Sequence, residues 1–456
     1  TVTFTNSDGC NLINPKSNHL TAPIPETPKN STNNNKNSEI KYAKPLMFRQ
    51  NHIGINAIIS IMAKPIEKRV ICTFAQGSVD PPATENNIIK PIVASCGTNE
   101  KKGLIDTLNG LFIDPAPSGA PTRGRLDVLP TGRNFFSVDS RAIPTPTAWA
   151  LGWKSANLLI EKHLQDHGDW PRTILLTAWG TANMRTGGDD IAQALALMGV
   201  KPKWDTSNRR VIGFEIIPVS VLDRPRVDVT LRVSGFFRDA FPQQMALVDS
   251  AARAIMELDE PLELNPAAHK FRTESNEDSA YRVFGSKPGS YGAGLQAMID
   301  EKLWSKKADL AESYLEWGSY AYGKNSQGKS ARKALETRLS QVDAVVQNQD
   351  NREHDILDSD DYYQFEGGAA AAISTIQGRD RPIYHNDLSR PERPIIRTLD
   401  EEISRVMRSR VVNPKWIEGV KRHGYKGAFE MAATLDYLFA FSATTGAVQN
   451  LSLIHI

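Results

Sequence analysis

The stretch RTILLTAWGTANMRTGGDDIAQALALM, residues 172–198, shows the unit that decides the fold. It opens with a short apolar run that predicts a buried strand at 172–177, and it closes with a helical pattern at 189–198. The alternation continues on both sides, with helices predicted at 147–167 and 241–258 and strands at 211–218 and 227–233. Strands that alternate with helices of roughly 10–20 residues predict a parallel sheet with helices on both faces. Ligands of such sheets usually bind beyond the carboxyl ends of the strands.

Regions of different composition predict a multi-domain α/β protein. Residues 103–262 are predicted to form an α/β domain with a parallel sheet, and residues 263–448 a mixed, mainly helical region. Residues 1–102 hold all three cysteines and the low-complexity tract NSTNNNKNS, so they predict a separate or foreign segment that is partly disordered. The apolar ending, residues 449–456, is predicted to be an unrelated tail.

The overall composition is ordinary for a soluble globular protein, with 40% hydrophobic and 23% charged residues. The net charge of +2 does not indicate a basic surface that would bind nucleic acid or an anionic membrane. Three widely spaced cysteines predict neither a disulfide framework nor a zinc site, and the predicted location is the reducing cytoplasm. No apolar run reaches the roughly 18 residues of a membrane-spanning helix, and no export signal is recognisable.

An acidic stretch, DAVVQNQDNREHDILDSDDYYQFEGG at residues 343–368, holds eight carboxylates and one histidine. A run this acidic is usually a solvated face or a disordered tail. Three aromatic residues, Tyr362, Tyr363 and Phe365, oppose disorder because tails seldom contain clustered aromatics. Two interpretations stay open, a polar surface loop and a site for hard-metal handling or proton transfer.

Two loops after predicted strands carry charged residues with a structural as well as a functional interpretation. Asp189 and Asp190 precede a helix, where acids often act only as caps. Arg238 and Asp239 lie between aromatic residues and suit a structural ion pair. Further along, three irregular segments are predicted: a polar linker at 266–280, a glycine-rich turn at 282–294 and an extended polar loop at 383–398.

The sequence GKNSQGKS, residues 323–330, fits the phosphate-binding pattern G-x-x-x-x-G-K-[ST]. That loop binds phosphates when a buried strand leads directly into its first glycine. Here the preceding residues, 311–322, are helical and aromatic, and no apolar strand ending in Asp follows at a suitable distance. We therefore predict no nucleotide-binding site, and an exposed turn at this position.

Six stretches point to a known family. They read SGAPTRGRLDVLPTGRNFFSVDSRAIPTP, LTAWGTANMRTGGDDIAQALALMGVKP, RPRVDVTLRVSGFFRDAFPQQ, YRVFGSKPGSYGAG, VVQNQDNREHDILDSDDYYQFEGG and RVVNPKWIEGVKRHGYKGAFEMAATLDYLFAFSATTGAV. Together they resemble the large subunit of aerobic, ATP-dependent cobaltochelatase (CobN-like), which is related to the H subunit of magnesium chelatase. The resemblance covers about residues 103–448. Family members are longer at both ends, so the chain resembles a fragment, and independent activity is not implied.

The resemblance implies a metal chelatase that inserts Co²⁺, as the substrate metal, into the corrinoid hydrogenobyrinic acid a,c-diamide during cobalamin biosynthesis. It implies that ATP and Mg²⁺ are used by partner subunits, two further chelatase subunits that include an AAA+ ATPase. The near alternative is a magnesium chelatase H-type subunit acting on protoporphyrin IX. The more distant alternatives are a non-catalytic tetrapyrrole- or metal-binding scaffold and a nucleotide-hydrolysing protein.

Residue chemistry then assigns candidate roles, because metal insertion needs a held ring, acceptors for its N–H protons and ligands that strip water from the cation. Carboxylates and imidazoles suit the last two tasks, and bases suit the carboxylates of the substrate. The candidate metal ligands are His354, Asp358, Asp360 and Asp361. The candidate catalytic proton acceptors are Glu366, His385 and His423. The candidate substrate-binding residues are Arg133, Asn134, Arg185, Arg238 and Lys426.

Overall fold

The computed structural model describes residues 89–119, 121–123, 126–136, 138–274 and 277–448. All of them lie in one compact unit of the chain, His52–Ile456. The low-complexity tract, the short strands that the sequence suggests at 54–61 and 69–74, and the tail at 449–456 lie outside the described residues. Among the helices of the described part, none is long and apolar enough to cross a membrane.

The described helices surround the sheet on both sides and continue beyond it. In chain order they are α1 Lys90–Leu108, α2 Pro146–His167, α3 Gly180–Thr186, α4 Asp189–Met198, α5 Val219–Leu222, α6 Gly235–Ala240, α7 Pro242–Met256, α8 Pro266–Glu274, α9 Gln296–Asp300, α10 Lys307–Gly318, α11 Arg332–Leu339, α12 Asp360–Tyr362, α13 Gly368–Gln377, α14 Leu399–Ser409, α15 Pro414–Lys421 and α16 Tyr425–Thr444. A π-helical segment, Tyr363–Gly367, joins α12 to α13.

The described strands form one large sheet and two small ones. They are β1 Pro115–Pro117, β2 Asn134–Phe136, β3 Thr173–Ala178, β4 Val200–Trp204, β5 Val211–Ile216, β6 Asp228–Val233, β7 Val283–Gly285, β8 Tyr320–Tyr322, β9 Gln327–Ser330, β10 Ala344–Gln349, β11 Ile383–Asp387 and β12 Ile395–Thr398. The large sheet has the strand order β12-β11-β10-β3-β6-β7-β8-β9, while β1 pairs with β2 and β4 with β5.

The centre of the large sheet is parallel, as the sequence predicts. Neighbouring strands run parallel from β11 through β10, β3 and β6 to β7, and antiparallel pairs occur only at its two ends. The predicted α/β class is confirmed. Strands that precede residue 262 in the sequence and strands that follow it belong to this one sheet. The two predicted regions therefore share the sheet.

Local sequence explains the central unit of strand and helix. Every residue of β3 is buried, which suits an apolar run covered by helices on both faces. Helix α2 begins at Pro146 behind a Thr145 side chain that caps the Ala148 N–H, and it ends at Gly168 in the left-handed conformation. Helix α4 is buried along its whole length. The predicted strand at 211–218 forms as β5, but it pairs antiparallel with β4 outside the large sheet.

Several predictions of irregular structure are wrong. The predicted polar loop at 383–398 contains β11 and β12, which pair antiparallel at one end of the sheet. The predicted linker at 266–280 forms α8 and a 3₁₀ turn, and the predicted exposed turn at 323–330 includes strand β9. The acidic stretch likewise begins with a fully buried strand, β10. The polar side chains of β10 and β11 are typical of a loop in the sequence, but inside the fold they form hydrogen bonds with one another.

A glycine substitution tests the packing of the loop at 282–294. Gly294 has φ +86°, and a Cβ there would lie 2.3 Å from Trp317 Cδ1 on α10. Gly289 has φ +80°, and a Cβ there would have no other atom within 4 Å. We expect Gly294→Ala to lower the free energy of unfolding by about 2–4 kcal/mol, since left-handed backbone and overpacking both contribute. The matched Gly289→Ala should cost only the backbone part, about 1–2 kcal/mol in denaturant titrations. Equal losses would contradict this packing.

Candidate functional site

A buried glutamate and histidine meet near the carboxyl ends of the parallel strands. His385 lies in β11, and Glu366 lies in the π segment that follows α12. His385 Nδ1 is 3.3 Å from both carboxyl oxygens of Glu366, and its Nε2 is 3.2 Å from Oε1 of Gln349, the last residue of β10. Glu366 and His385 are each 0% exposed, so protein groups alone set their protonation.

The hydrogen-bond network assigns the protons of His385. The Gln349 Nε2 group donates to the His354 carbonyl at 2.7 Å, which turns Oε1 toward Arg352 and His385. Arg352 donates to that oxygen at 2.7 Å, and a guanidinium can only donate. Gln349 Oε1 is thus an acceptor, and His385 Nε2 carries a hydrogen. The remaining ring nitrogen, Nδ1, therefore shares one proton with Glu366 when the pair is neutral.

Opposite pKa shifts separate two glutamates beside this histidine. Burial raises the pKa of Glu366, His385 opposes that shift, and the Glu402 carboxylate adds to it. Burial would also raise the pKa of Glu402, but bonds from Arg405 and the charges of His385 and Arg352 lower it to about 2. Glu402 is therefore an anion at neutral pH, whereas burial favours the protonated form of Glu366.

A network of four arginines and four carboxylates supports the pair. Arg352 contacts Glu402 at 2.6 Å, Arg405 contacts Asp355 at 2.7 Å, and several bonds link the rest. The full set is Arg352, Arg397, Arg405 and Arg410 with Asp355, Asp358, Asp387 and Glu402. The charges of these eight groups balance. The network therefore positions Gln349, and through it His385, without imposing a net charge.

An exposed ion pair and two aromatic rings form the outer part of the site. Arg185, at the end of α3, bonds both carboxyl oxygens of Asp350, at 2.8 and 3.0 Å. The Arg185 side chain is 46% exposed, which leaves it open to ligands. Tyr362 lies inside this pair, with its ring 4.7 Å from the Trp179 ring and 5.6 Å from the His385 ring. From the surface inward, the site thus consists of the Arg185–Asp350 ion pair, the aromatic rings of Trp179 and Tyr362, and the Glu366–His385 pair.

A second set of buried polar residues lies near the same carboxyl ends of the parallel strands. Asp190 accepts hydrogen bonds from Asn348 at 2.8 Å and Asn183 at 2.7 Å, while Asp189 contacts Arg123 at 3.2 Å. Burial raises the pKa of Asp190 to about 6 and that of Asp189 to about 7, although the amides and Arg123 oppose it. These acids are more than surface caps, because both are buried and tied to the loops that hold the site.

The structure does not bring the candidate metal ligands together. Asp358 is ion-paired with Arg410, and Asp360 accepts a 2.7 Å bond from Gln364. His354 and Asp361 are exposed. Among the residues that the structure describes, no three His, Cys, Asp or Glu side chains are grouped so that they could hold a metal ion. The metal assignment therefore remains a hypothesis about groups that could meet only after a rearrangement.

The candidate substrate-binding residues are dispersed. Arg133 donates to the carbonyls of residues 127, 129 and 130, and Asn134 is exposed on β2. Arg238 is buried, forms two bonds to Asp239 and holds three carbonyls of the glycine-rich loop, which matches its structural interpretation. His423 and Lys426 are exposed near the start of α16. Of the five candidate substrate-binding residues, only Arg185 belongs to the site described above, where it forms the outer ion pair with Asp350.

The phosphate-loop pattern lies in a hairpin. Gly323 directly follows β8, and the pattern continues through β9 to Ser330 instead of leading from a strand into a helix. Lys329, the residue that would reach a phosphate, bonds the Tyr281 hydroxyl at 3.0 Å and Asp278 at 3.3 Å. The local geometry differs from the strand-to-helix turn that this motif requires.

Sequence reasoning missed several residues of the site, notably Gln349, Asp350, Arg352 and Glu402. Glu402 left one readable signal, because it lies three residues after Leu399 and next to Ile403 on the apolar face of α14. An acid in that position needs a buried partner. The other three gave no comparable signal, since their roles depend on contacts between distant segments.

A surface cleft of about 580 Å³ lies away from this site. It opens beside the amino ends of β10 and β11 and is lined by Lys162, Arg381 and Asp400, among others. Neither Glu366 nor His385 lines it. The candidate site is therefore defined by its charged groups, and this cleft is not part of it.

Comparisons with known proteins agree on one family. The CobN/Magnesium Chelatase family model matches residues 16–452, beyond both ends of the 103–448 resemblance. Aerobic cobaltochelatase subunits CobN from Sinorhizobium sp and Pseudomonas aeruginosa are 64% and 58% identical over 375 residues, which is 79% of this chain. The chain spans only 29% and 30% of their lengths. The solved catalytic subunit of cobaltochelatase from Mycobacterium tuberculosis matches with TM-score 0.75 and 43% identity, over 84% of this chain and 34% of that one.

Proposed function

Because this chain belongs to the CobN/Magnesium Chelatase family, we propose that it forms part of the tetrapyrrole-binding large subunit of a cobaltochelatase. The proposed reaction inserts Co²⁺ into hydrogenobyrinic acid a,c-diamide in cobalamin biosynthesis. Identity of 64% and 58% to two CobN subunits supports cobalt as the substrate metal. We further propose a cytoplasmic complex in which two other subunits, one an AAA+ ATPase, use ATP and Mg²⁺.

The 3.3 Å contact between the buried Glu366 carboxyl group and His385 Nδ1 is the observation that carries this proposal. A divalent cation can bind the ring nitrogens only after N–H protons leave, so the enzyme needs an acceptor. When the pair carries no shared proton it has a net charge of −1, and accepting one proton returns it to neutrality. Its Nε2–H stays bonded to Gln349, which keeps the imidazole in one orientation throughout.

Arg185 is the proposed clamp for a carboxylate at the rim of the substrate. Its two-point bond to Asp350 has the geometry that a substrate carboxylate would need. A bound carboxylate would replace Asp350 as the partner of Arg185, so Arg185 would still be paired with one negative charge. The released Asp350 could then accept protons at the edge of the site.

Substitution of Arg185 tests the clamp. We expect Arg185→Gln to raise the Kd for hydrogenobyrinic acid a,c-diamide about tenfold, the loss of one charge-assisted contact. Asp350→Asn should lower the Kd, because it removes the competing carboxylate. Both are measured by absorbance titration of the tetrapyrrole. Arg332→Gln, which alters a distant ion-paired arginine on α11, is the control. An unchanged Kd in Arg185→Gln would exclude the clamp.

A metal-insertion assay tests the function as a whole. The chain, or a longer subunit that contains it, is combined with the ATPase subunits, ATP and either Co²⁺ or Mg²⁺. Faster insertion of Co²⁺ into hydrogenobyrinic acid a,c-diamide supports the proposal. Insertion of Mg²⁺ into protoporphyrin IX instead would identify an H-type subunit. Tight tetrapyrrole binding with no insertion of either metal would identify a scaffold.

A further inference from the structure

A buried arginine of the large sheet has no anionic partner within the described part of the chain. Arg226, Arg232 and Arg282 are all buried, with at most 1% of each exposed. Arg226 Nε lies 2.7 Å from Glu260, and Arg282 Nε lies 2.6 Å from Asp228. Among the described residues Arg232 forms no ion pair, and its Nε and Nη2 have no hydrogen-bond partner. A buried charge without a counterion is costly, and arginine cannot avoid that cost by losing its proton.

The rest of the Arg232 guanidinium is held in place by neutral groups. Nη1 donates to the Val233 carbonyl at 2.7 Å. The rings of Phe365 and Tyr314 lie 5.1 and 5.5 Å from Cζ, within the range of cation–π attraction. Burial lowers the pKa of Arg232, and the groups that oppose this shift are the phenols of Tyr314 and Tyr322. The rings therefore stabilise the charge, while the edge of the guanidinium formed by Nε and Nη2 stays unpaired.

Gly318 faces this unpaired edge. It is the last residue of α10, and a Cβ there would lie 3.1 Å from Arg232 Nε and 3.3 Å from Nη2. A side chain at position 318 would therefore enter the space in front of the two nitrogens. The spacing of Nε and Nη2 matches the two oxygens of a carboxylate, which arginine binds through two parallel hydrogen bonds.

Neighbouring groups on the same face of the sheet are also unpaired. Thr177 is the register partner of Arg232 on β3, so their side chains lie on one face. Within the described part of the chain, the Thr177 hydroxyl and the Trp179 indole nitrogen are buried without a hydrogen-bond partner. The Trp179 ring lies 6.3 Å from the ring of Phe365. Both polar groups can donate a hydrogen bond, which favours a ligand with negatively charged oxygen atoms.

We propose that Arg232 binds one carboxylate group through Nε and Nη2, inside the candidate site. Arg232 lies near the carboxyl end of β6, and Phe365 beside it directly precedes Glu366. The bound carboxylate supplies the counterion of the buried guanidinium. It belongs to a small free carboxylate or to a side chain of the tetrapyrrole, and in the second case the inference rests on the proposed function. Because Arg232 has no exposed area, the ligand enters only when the residues around it move, and we expect slow binding.

The Nε–H signal of Arg232, in the NMR spectrum of the chain with ¹⁵N-labelled arginine, tests the site. Formate is added stepwise, with chloride at equal ionic strength as the reference. Arg232→Met identifies the signal by removing it. We expect formate, but not chloride, to shift the signal to a plateau. Formate should likewise raise the thermal transition of the wild type, but not of Arg232→Met.

Two further variants show where formate binds. Gly318→Ala should weaken formate binding about tenfold or more, because its methyl group enters the space in front of Nε and Nη2. Arg332→Gln is the control, since it removes an ion-paired guanidinium from the surface of α11 and should leave formate binding unchanged. If Arg232→Met does not fold, the comparison of Gly318→Ala with Arg332→Gln still decides the result.

The outcomes separate this site from the proposed function. A saturable formate response that Gly318→Ala weakens supports the site, whatever the metal-insertion assay shows. Hydrogenobyrinic acid a,c-diamide is then added to the formate complex. Displacement of formate identifies the tetrapyrrole as the source of the carboxylate, whereas binding of both supports a separate small carboxylate. No saturable response to formate or to the tetrapyrrole, an equal response to chloride, or unchanged affinity in Gly318→Ala would overturn the proposal.

Discussion

Glu366→Gln is expected to lower the rate of metal insertion by roughly 100- to 10,000-fold, the usual contribution of a general base. The glutamine keeps the shape of the side chain but cannot take the shared proton. The wild-type rate should rise with pH as the pair loses that proton. Because burial raises the pKa of Glu366, the rise is expected above the ordinary range of a glutamate. The variant should lose this pH dependence together with the rate.

The control for this experiment is Glu430→Gln, which makes the same change at a half-exposed glutamate on α16. Insertion is followed by the absorbance of the ring in single turnovers, with tetrapyrrole binding measured separately. The binding constant should stay the same in Glu366→Gln, because the residue has no exposed surface. A wild-type insertion rate in Glu366→Gln would remove the pair from the mechanism.

Asp228→Asn is expected to give the largest loss of stability, about 3–5 kcal/mol of unfolding free energy. Asp228 begins β6 and accepts bonds from Arg282 Nε at 2.6 Å and from Arg338 on α11. All three side chains are buried, at 5%, 0% and 2% exposure. The substitution would leave two buried guanidinium groups without their shared anion. Chemical denaturation of the chain measures the loss.

Two further measurements make this prediction specific. Asp259→Asn is the control, because Asp259 is fully exposed where it pairs with Arg272, and we expect little change in the free energy of unfolding. Burial would raise the pKa of Asp228, but Arg282 and Arg338 lower it to about 2. Its stabilisation should therefore be complete above the unfolded pKa near 4 and disappear as pH falls toward 2. A loss equal to that of Asp259→Asn would contradict the account.

Much of the fold could be predicted, because in those segments the hydrophobic pattern of the sequence agrees with the burial of the residues in the structure. The apolar run of β3 and the helix α4 have the same ends, within a residue, as their predicted counterparts. Strands β10 and β11 were missed for the opposite reason. Their polar residues Gln347, Asn348, His385 and Asn386 look solvated in sequence, yet all are buried. Hydrogen bonds such as Asn386 to Asn348, at 2.9 Å, replace water.

The candidate site shows the same limit. Residue types alone indicate Glu366 and His385 as proton acceptors, and the structure places them 3.3 Å apart. The arginine network brings residues 352–358 against residues 387–410, a pairing of distant segments that no local pattern records. Asp355 and Asp358 consequently serve as partners of arginines in this structure. Acidity in a sequence therefore does not distinguish a metal ligand from a structural anion.

A double-mutant cycle tests the central claim, that Glu366 and His385 act as one proton acceptor in metal insertion. Single-turnover insertion of Co²⁺ is measured in the reconstituted complex for Glu366→Gln, His385→Gln and the double variant. Because the two side chains share one proton, we predict that each single change causes nearly the whole loss and that the double variant is no slower than the slower single one. Losses that multiply in the double variant, or insertion at the wild-type rate in either single variant, would contradict the claim.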